Sequence, residues 1–267
     1  MKEELNVDKI HVTYKNTPYW TAKEFKENLP KLNNPLIQFY LHLLFILSGR
    51  PGEPAGIQMD CINLDDKWIH IKQSLTRAKI NRIERTDPKK IIFMFPKAKE
   101  DSQSVLFLKC TKTAKSVRTI MITNQLMSGV VERMEHINAC KKFYEENYND
   151  YNLLICQDNG KPYDPRMLQK LFNKCQVKAG IENIITLRGI RKSSLIYKTN
   201  ITGNDYMLVM KDSGHTQVQT LIKHYDVTTE ECSKVADKIQ NDLYQPQEKS
   251  KPRKCQTNCI ASSLKNS

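Results

Sequence analysis

Apolar and polar positions alternate along this chain in two distinct periods. Thr21-Ala22-Lys23-Glu24 fits a capping box, in which a hydroxyl and a carboxylate satisfy the first free amides of a helix. The run from Pro35 through Leu47 is apolar nearly all round, which predicts a buried helix that stops at the breaker-dense Ser48-Gly49-Arg50-Pro51-Gly52. Short strand-like runs follow at Lys67–Ile71, Val105–Leu108 and Val117–Ile122. The charged segment 75–104 between the first two reads as a long loop or extended hairpin. The polar link Thr111–Ser116 suits a hairpin joining the second run to the third.

After Thr123 the period becomes helical, with Leu126, Val130, Met134 and Ile137 on one face. Asp164-Pro165 opens another helix, whose apolar face is Met167, Leu168, Leu171, Phe172 and Cys175, with Gly180 just past its end. A helix is predicted from about Leu187 to Thr199, and a short one from Asn204-Asp205 that ends before Gly214. Thr228-Thr229-Glu230-Glu231 caps a last amphipathic helix striped by Cys232, Val235, Ala236, Ile239 and Leu243. The pattern predicts an α+β fold, mainly helical, with one small antiparallel β-sheet. It divides the chain into a polar lead-in (1–20), a main domain (21–244) and a basic tail (245–267) in which Lys249, Lys251, Arg253 and Lys254 sit among Pro, Ser and Gln.

Charge narrows the partner. With 42 Lys and Arg against 29 Asp and Glu, the net charge is +13, a surplus that attracts polyanions and points to double-stranded DNA. No apolar run is long enough for a membrane span, and the N-terminus lacks the pattern of a secretion signal, so no membrane association is expected. The eight cysteines are scattered without a zinc-type double pair, which suggests reduced thiols and a cytoplasmic, nucleoid-associated protein.

Five features carry candidate chemistry in a fixed order: Ser48-Gly49-Arg50-Pro51-Gly52-Glu53, then Lys112-Thr113-Ala114-Lys115-Ser116-Val117-Arg118, then Gly189-Ile190-Arg191-Lys192-Ser193, then Gly214-His215, and finally Tyr225. Each alone is weak; an Arg at a helix end is ordinarily a surface charge, and a Tyr in a patterned helix is ordinarily core. Taken in this order, and with these spacings from Arg191 to His215 and from His215 to Tyr225, the set resembles the catalytic domain of the tyrosine recombinases, also called the phage integrase family. The resemblance spans residues 20–245. Ser48, Gly49, Arg50 and Glu53 match its first box with a one-residue contraction, and Lys112 stands where a hairpin lysine is expected.

The resemblance implies a site-specific recombinase that cleaves and rejoins DNA through a covalent 3′-phosphotyrosine. Tyr225 would be the nucleophile, and Arg50 and Arg191 a bidentate clamp on the phosphate. His215 would donate to the phosphate or move protons, and Lys112 would protonate the leaving 5′-oxygen. Glu53 would hold Arg50 or His215 in place. The transesterification conserves the phosphodiester's energy, so no metal, nucleotide or other cofactor is expected. A tetramer on DNA, accessory DNA-bending or directionality factors, and a phage or integrative mobile element are the implied context.

Two departures stand out. Arg188 occupies the position where the family places a His three residues before the second clamp Arg. Arg188 itself is the alternative clamp, but Arg191 fits the Leu-Arg-basic-Ser run and the spacing better. The family's helical core-binding domain has no room ahead of Thr21, so a catalytic fragment with weaker DNA affinity is expected. Rival functions are a type IB topoisomerase-like strand transferase and a non-catalytic DNA-binding relative. Should Tyr225 not be the nucleophile, Tyr206 is the next place to look.

Overall fold

The computed structural model describes residues 17–97, 99–111 and 116–215, all within the unit Met1–Asp226. Its helices begin where local chemistry says they should. In α1 (Ala22–Asn28), Thr21 and Glu24 form the reciprocal capping box. The next helix, α2 (Pro35–Ile46), is capped by the Asn34 side chain and has Pro at its first turn. Because α2 is apolar on every side, it serves two cores. Tyr40, Leu41 and Leu44 face one shared with α1, α6 (Pro165–Lys178) and α7 (Leu187–Ile201). Leu43 and Leu47 face the other, shared with β2 (Trp68–Ile71), β6 (Arg118–Met121) and α5 (Asn124–Tyr144).

The sheet expectation needs correction. Among the described residues two three-stranded antiparallel sheets are present, not one. One has the order β1 (Ile62–Asn63), β2, β6; the other places β5 (Ser104–Cys110) between β3 (Gln73–Lys79) and β4 (Ile91–Met94). Val105, Leu106, Phe107 and Leu108 are buried in succession, as in a strand covered on both faces. With β3 and β4 on its two edges, β5 has no free edge for β6. Hence β5 and β6 do not pair as the expected hairpin: β6 pairs with β2, Ile71 opposite Arg118. The segment 75–104, expected as loop or hairpin, supplies most of β3, the single turn α4 (Ile80–Ile83) and β4.

A four-residue turn, α3 (Gly52–Ala55), presses against β3. A Cβ on Gly52 would lie 2.3 Å from the Leu75 carbonyl oxygen, so only glycine allows this approach. Trp20, placed by its polar neighbours in the lead-in, is fully buried and meets Phe172 edge-on. Its backbone N–H donates to Ser193 Oγ and its indole N–H to the Asn183 carbonyl, fastening residues 17–20 to the α7 region. Among the described residues no helix is long and apolar enough to cross a membrane.

Candidate phosphate-binding site

The site gathers where α2 ends. The last carbonyls of a helix have no partner within it and lie at the negative end of its dipole. Here successive carbonyls from Phe45 to Ser48 receive side-chain donors from distant elements. Ser194 Oγ donates to Phe45 O, Lys198 Nζ to Ile46 O at 2.6 Å, Arg118 Nη2 to Leu47 O at 3.1 Å, and Arg191 Nη1 to Ser48 O. Ser48 holds φ at 45°, an uncommon conformation for a residue with a side chain, and its hydroxyl is 2.7 Å from that of Ser194. The end of α2 is therefore a rack on which three cations are hung.

Glu53, only 2% exposed, ties the rack to the first box. Its carboxylate accepts from the Arg50 backbone N–H at 3.1 Å, from Arg50 Nη1 at 3.0 Å and from Arg118 Nη2 at 3.0 Å. Burial alone would raise its pKa, but the charges of Arg118, Arg191 and Arg50 outweigh that and bring it below the ordinary carboxylate value. Glu53 is thus an anion at neutral pH, placed against Arg50 and Arg118. The Arg50 side chain remains 43% exposed while its partner carboxylate is buried, so its guanidinium is anchored at one edge and open at the other.

Arg191 and His215 meet from opposite directions. Arg191 lies on the buried face of α7, and its Nη2 is 3.1 Å from His215 Nε2 and 3.4 Å from the Ser213 carbonyl oxygen. His215 follows α8 (Tyr206–Ser213) through Gly214, whose φ of +67° ends that helix. The Ser213 hydroxyl lies 2.7 Å from His215 Nδ1, which fixes the ring's orientation. Lys198 is paired with Asp212; burial lowers its pKa, the carboxylate raises it, and the charges of Arg118 and Arg191 lower it further, leaving it below the ordinary lysine value.

The structure thus brings together Arg50, Glu53, Arg191 and His215. Arg188, the alternative clamp, is on the exposed side of α7, and the hydrogen bonds to Ser48 and His215 are made by Arg191. Arg118 is a site residue that the sequence reading passes over, because its stretch points first to Lys112. The signal is an arginine inside an alternating strand, where burial demands partners. Lys112 and Tyr225, the expected acid and nucleophile, lie outside the described residues, as does the amphipathic segment after Tyr225. Tyr206, the fallback nucleophile, opens α8 and packs against Leu195 and Val209.

No protein-family model and no curated protein matches the chain. Solved structures do. The Tn1549 transposon integrase in complex with circular intermediate DNA aligns at a TM-score of 0.62 and 12% identity, over 87% of this chain and 69% of that one. The XerA recombinase aligns at 0.54 and 12% identity, over 86% and 66% of the two chains. XerH site-specific recombinase, bound to its difH substrate before cleavage, aligns at 0.54 and 13% identity, over 88% and 57%. This chain spans less than two thirds of the XerA and XerH chains. At such identities the likeness concerns backbone architecture, and that architecture is the catalytic-domain fold of the tyrosine recombinases, the family whose motif order the sequence resembles.

Proposed function

We propose that this chain is a site-specific DNA strand transferase in which Arg50, Arg191 and His215 hold one phosphodiester while Tyr225 attacks it. The observation that carries the proposal is the convergence of Arg50, Arg191 and His215, far apart in sequence, around the buried carboxylate of Glu53 and the end of α2. Charge builds on the non-bridging oxygens as phosphorus is attacked, and guanidinium groups fixed in advance lower that barrier without reorganising. The Tyr225 phenol passes its proton to His215 as its oxygen forms a bond to phosphorus, and the bond to the 5′-oxygen breaks. Its electron pair takes a proton from Lys112 as the 5′-hydroxyl leaves. Running the step backwards on a new 5′-hydroxyl rejoins the strand. The net charge of +13 supports double-stranded DNA as the substrate. Two of the similar solved structures are DNA complexes, which agrees with that reading. Assembly into a tetramer, recruitment of accessory factors and service to a mobile element extend the same proposal.

A duplex carrying a nick beside the cleavage position lets the short 5′-hydroxyl fragment diffuse away and traps the intermediate. A pool of nicked duplexes with randomised cores serves as substrate. The expected product is an SDS-resistant protein–DNA adduct that Tyr225→Phe and Arg191→Ala abolish. An adduct that persists in Tyr225→Phe would sink the assignment of the nucleophile. If the wild-type chain shifts the same duplexes in a gel yet forms no adduct, the non-catalytic DNA-binding reading takes its place.

A further inference from the structure

His136 and Cys140 are one turn apart on α5, so both side chains lie on one helix face. Asp158 comes to that face from the turn before α6, a turn closed by hydrogen bonds from Gly160 N–H to Gln157 O and from Gln157 N–H to Lys161 O. His136 Nε2 is 3.0 Å from Asp158 Oδ1 and 3.5 Å from Cys140 Sγ, and the three donor atoms all lie within 4.8 Å of one another. We infer that His136, Cys140 and Asp158 form a binding site for a single borderline divalent transition ion, best suited to Zn²⁺.

The argument rests on spacing and donor type. In a tetrahedral site, bonds of about 2.0–2.1 Å to nitrogen, 2.3 Å to sulfur and 2.0–2.2 Å to oxygen put neighbouring donors roughly 3.4–3.6 Å apart. The His136–Cys140 separation already has that value, and the His136–Asp158 separation is a few tenths of an ångström short. An ion pair between His136 and Asp158 would account for those two residues but not for a thiol turned onto the same nitrogen. One imidazole, one thiolate and one carboxylate form a mixed set that favours zinc over magnesium or calcium, which prefer oxygen alone. His136 and Asp158 are exposed and Cys140 half-buried, so the fourth position opens to water. On binding, the Cys140 thiol releases its proton to solvent as the sulfur–metal bond forms. Arg133 is the nearby cation, and its guanidinium is spent on the Leu154 and Cys156 carbonyls. An ion here would staple α5 to the turn that leads into α6. None of the three residues belongs to the phosphate cluster, so the inference does not depend on the proposed activity.

Cobalt(II) titrated into the reduced full-length chain serves as the probe, because a cobalt–thiolate bond gives a charge-transfer absorption that imidazole and carboxylate ligands lack. Bound zinc is counted in parallel by elemental analysis after dialysis. The chain has eight cysteines, so variants assign the signal. The wild type should show the band and retain one zinc. Cys140→Ser should lose both, and His136→Ala and Asp158→Asn should weaken binding by roughly tenfold or more. Cys255→Ser and Cys259→Ser should retain the band. Absence of the band in the wild type, or its survival in Cys140→Ser, overturns the inference. Circular dichroism of each metal-free variant separates loss of ligand from loss of fold: a folded Cys140→Ser chain that binds as the wild type does would also refute it.

Discussion

Replacing Glu53 by Gln separates holding the fold from holding a substrate. The side chain is 2% exposed and takes three donors, two from Arg50 and one from Arg118. Removing one member of a buried ion pair costs about 3–5 kcal/mol, because the other charge stays buried without compensation. Arg118 is itself only 8% exposed, though it keeps the Leu47 and Ser116 carbonyls, so the lower end of that range applies. A loss of about 3 kcal/mol in a domain of this size lowers the melting temperature by roughly 6–12 °C. Arg50→Ala removes the opposite partner, whose side chain is 43% exposed. Exposed pairs are worth about 0.2–1 kcal/mol, so this variant should melt within roughly 4 °C of the wild type while losing adduct formation.

Acidity gives a second reading of the same group. The folded pKa of Glu53 lies below its ordinary value of 4.5, so the unfolded chain binds the proton more readily. The stabilisation is therefore fully present above the ordinary value and disappears as pH falls through the folded one. In differential scanning calorimetry the gap between wild type and Glu53→Gln should be constant near neutrality and close progressively in acid. A Glu53→Gln chain that melts within about 1 °C of wild type at pH 7 would refute the reasoning, as would a gap that widens on acidification.

Arg188 and Arg191 should behave oppositely: Arg188→Ala, at an exposed position, should change stability by less than about 0.5 kcal/mol and preserve the adduct. Arg191→Lys keeps the charge but gives up the planar fork, and should slow adduct formation by roughly 100-fold in single-turnover assays. Gly52→Ala should destabilise by about 1–3 kcal/mol in urea titrations, since its new methyl meets the Leu75 carbonyl. Trp20→Ala, which empties a fully buried position, should cost about 3–5 kcal/mol in the same assay.

What the sequence made legible was local. Caps at Thr21 and Asp164, the all-round apolarity of α2 and the step from Arg191 to His215 are each written in neighbouring, periodic or regularly spaced residues. Strand pairing is different, because an apolar run states that a strand is buried and not which edges it shares. Val105 to Leu108 accordingly suggests a hairpin with the next strand, when two other strands already occupy both edges of β5. Trp20 is hidden by its polar neighbours, since its partners Phe172 and Ser193 lie far along the chain. The His136, Cys140 and Asp158 cluster is hidden likewise, because most of a loop and the end of α5 separate its last two members.

The way the cations are held explains why the site can be both rigid and attractive to an anion. Were each basic group paired with its own carboxylate, the cluster would be neutral and a phosphate would have to displace an acid. Instead Arg118, Arg191 and Lys198 are positioned largely by carbonyl oxygens at the end of α2, which fix geometry without cancelling a charge. Among the described residues Glu53 and Asp212 supply the opposing charge. Four cations (Arg50, Arg118, Arg191, Lys198) against these two anions leave a surplus of two positive charges (4 − 2), before His215 is considered. A phosphodiester brings one negative charge and gains a second as its transition state forms, which this surplus matches. The end of a buried, uncharged helix is thus the component that lets a cluster of arginines stay both ordered and electropositive.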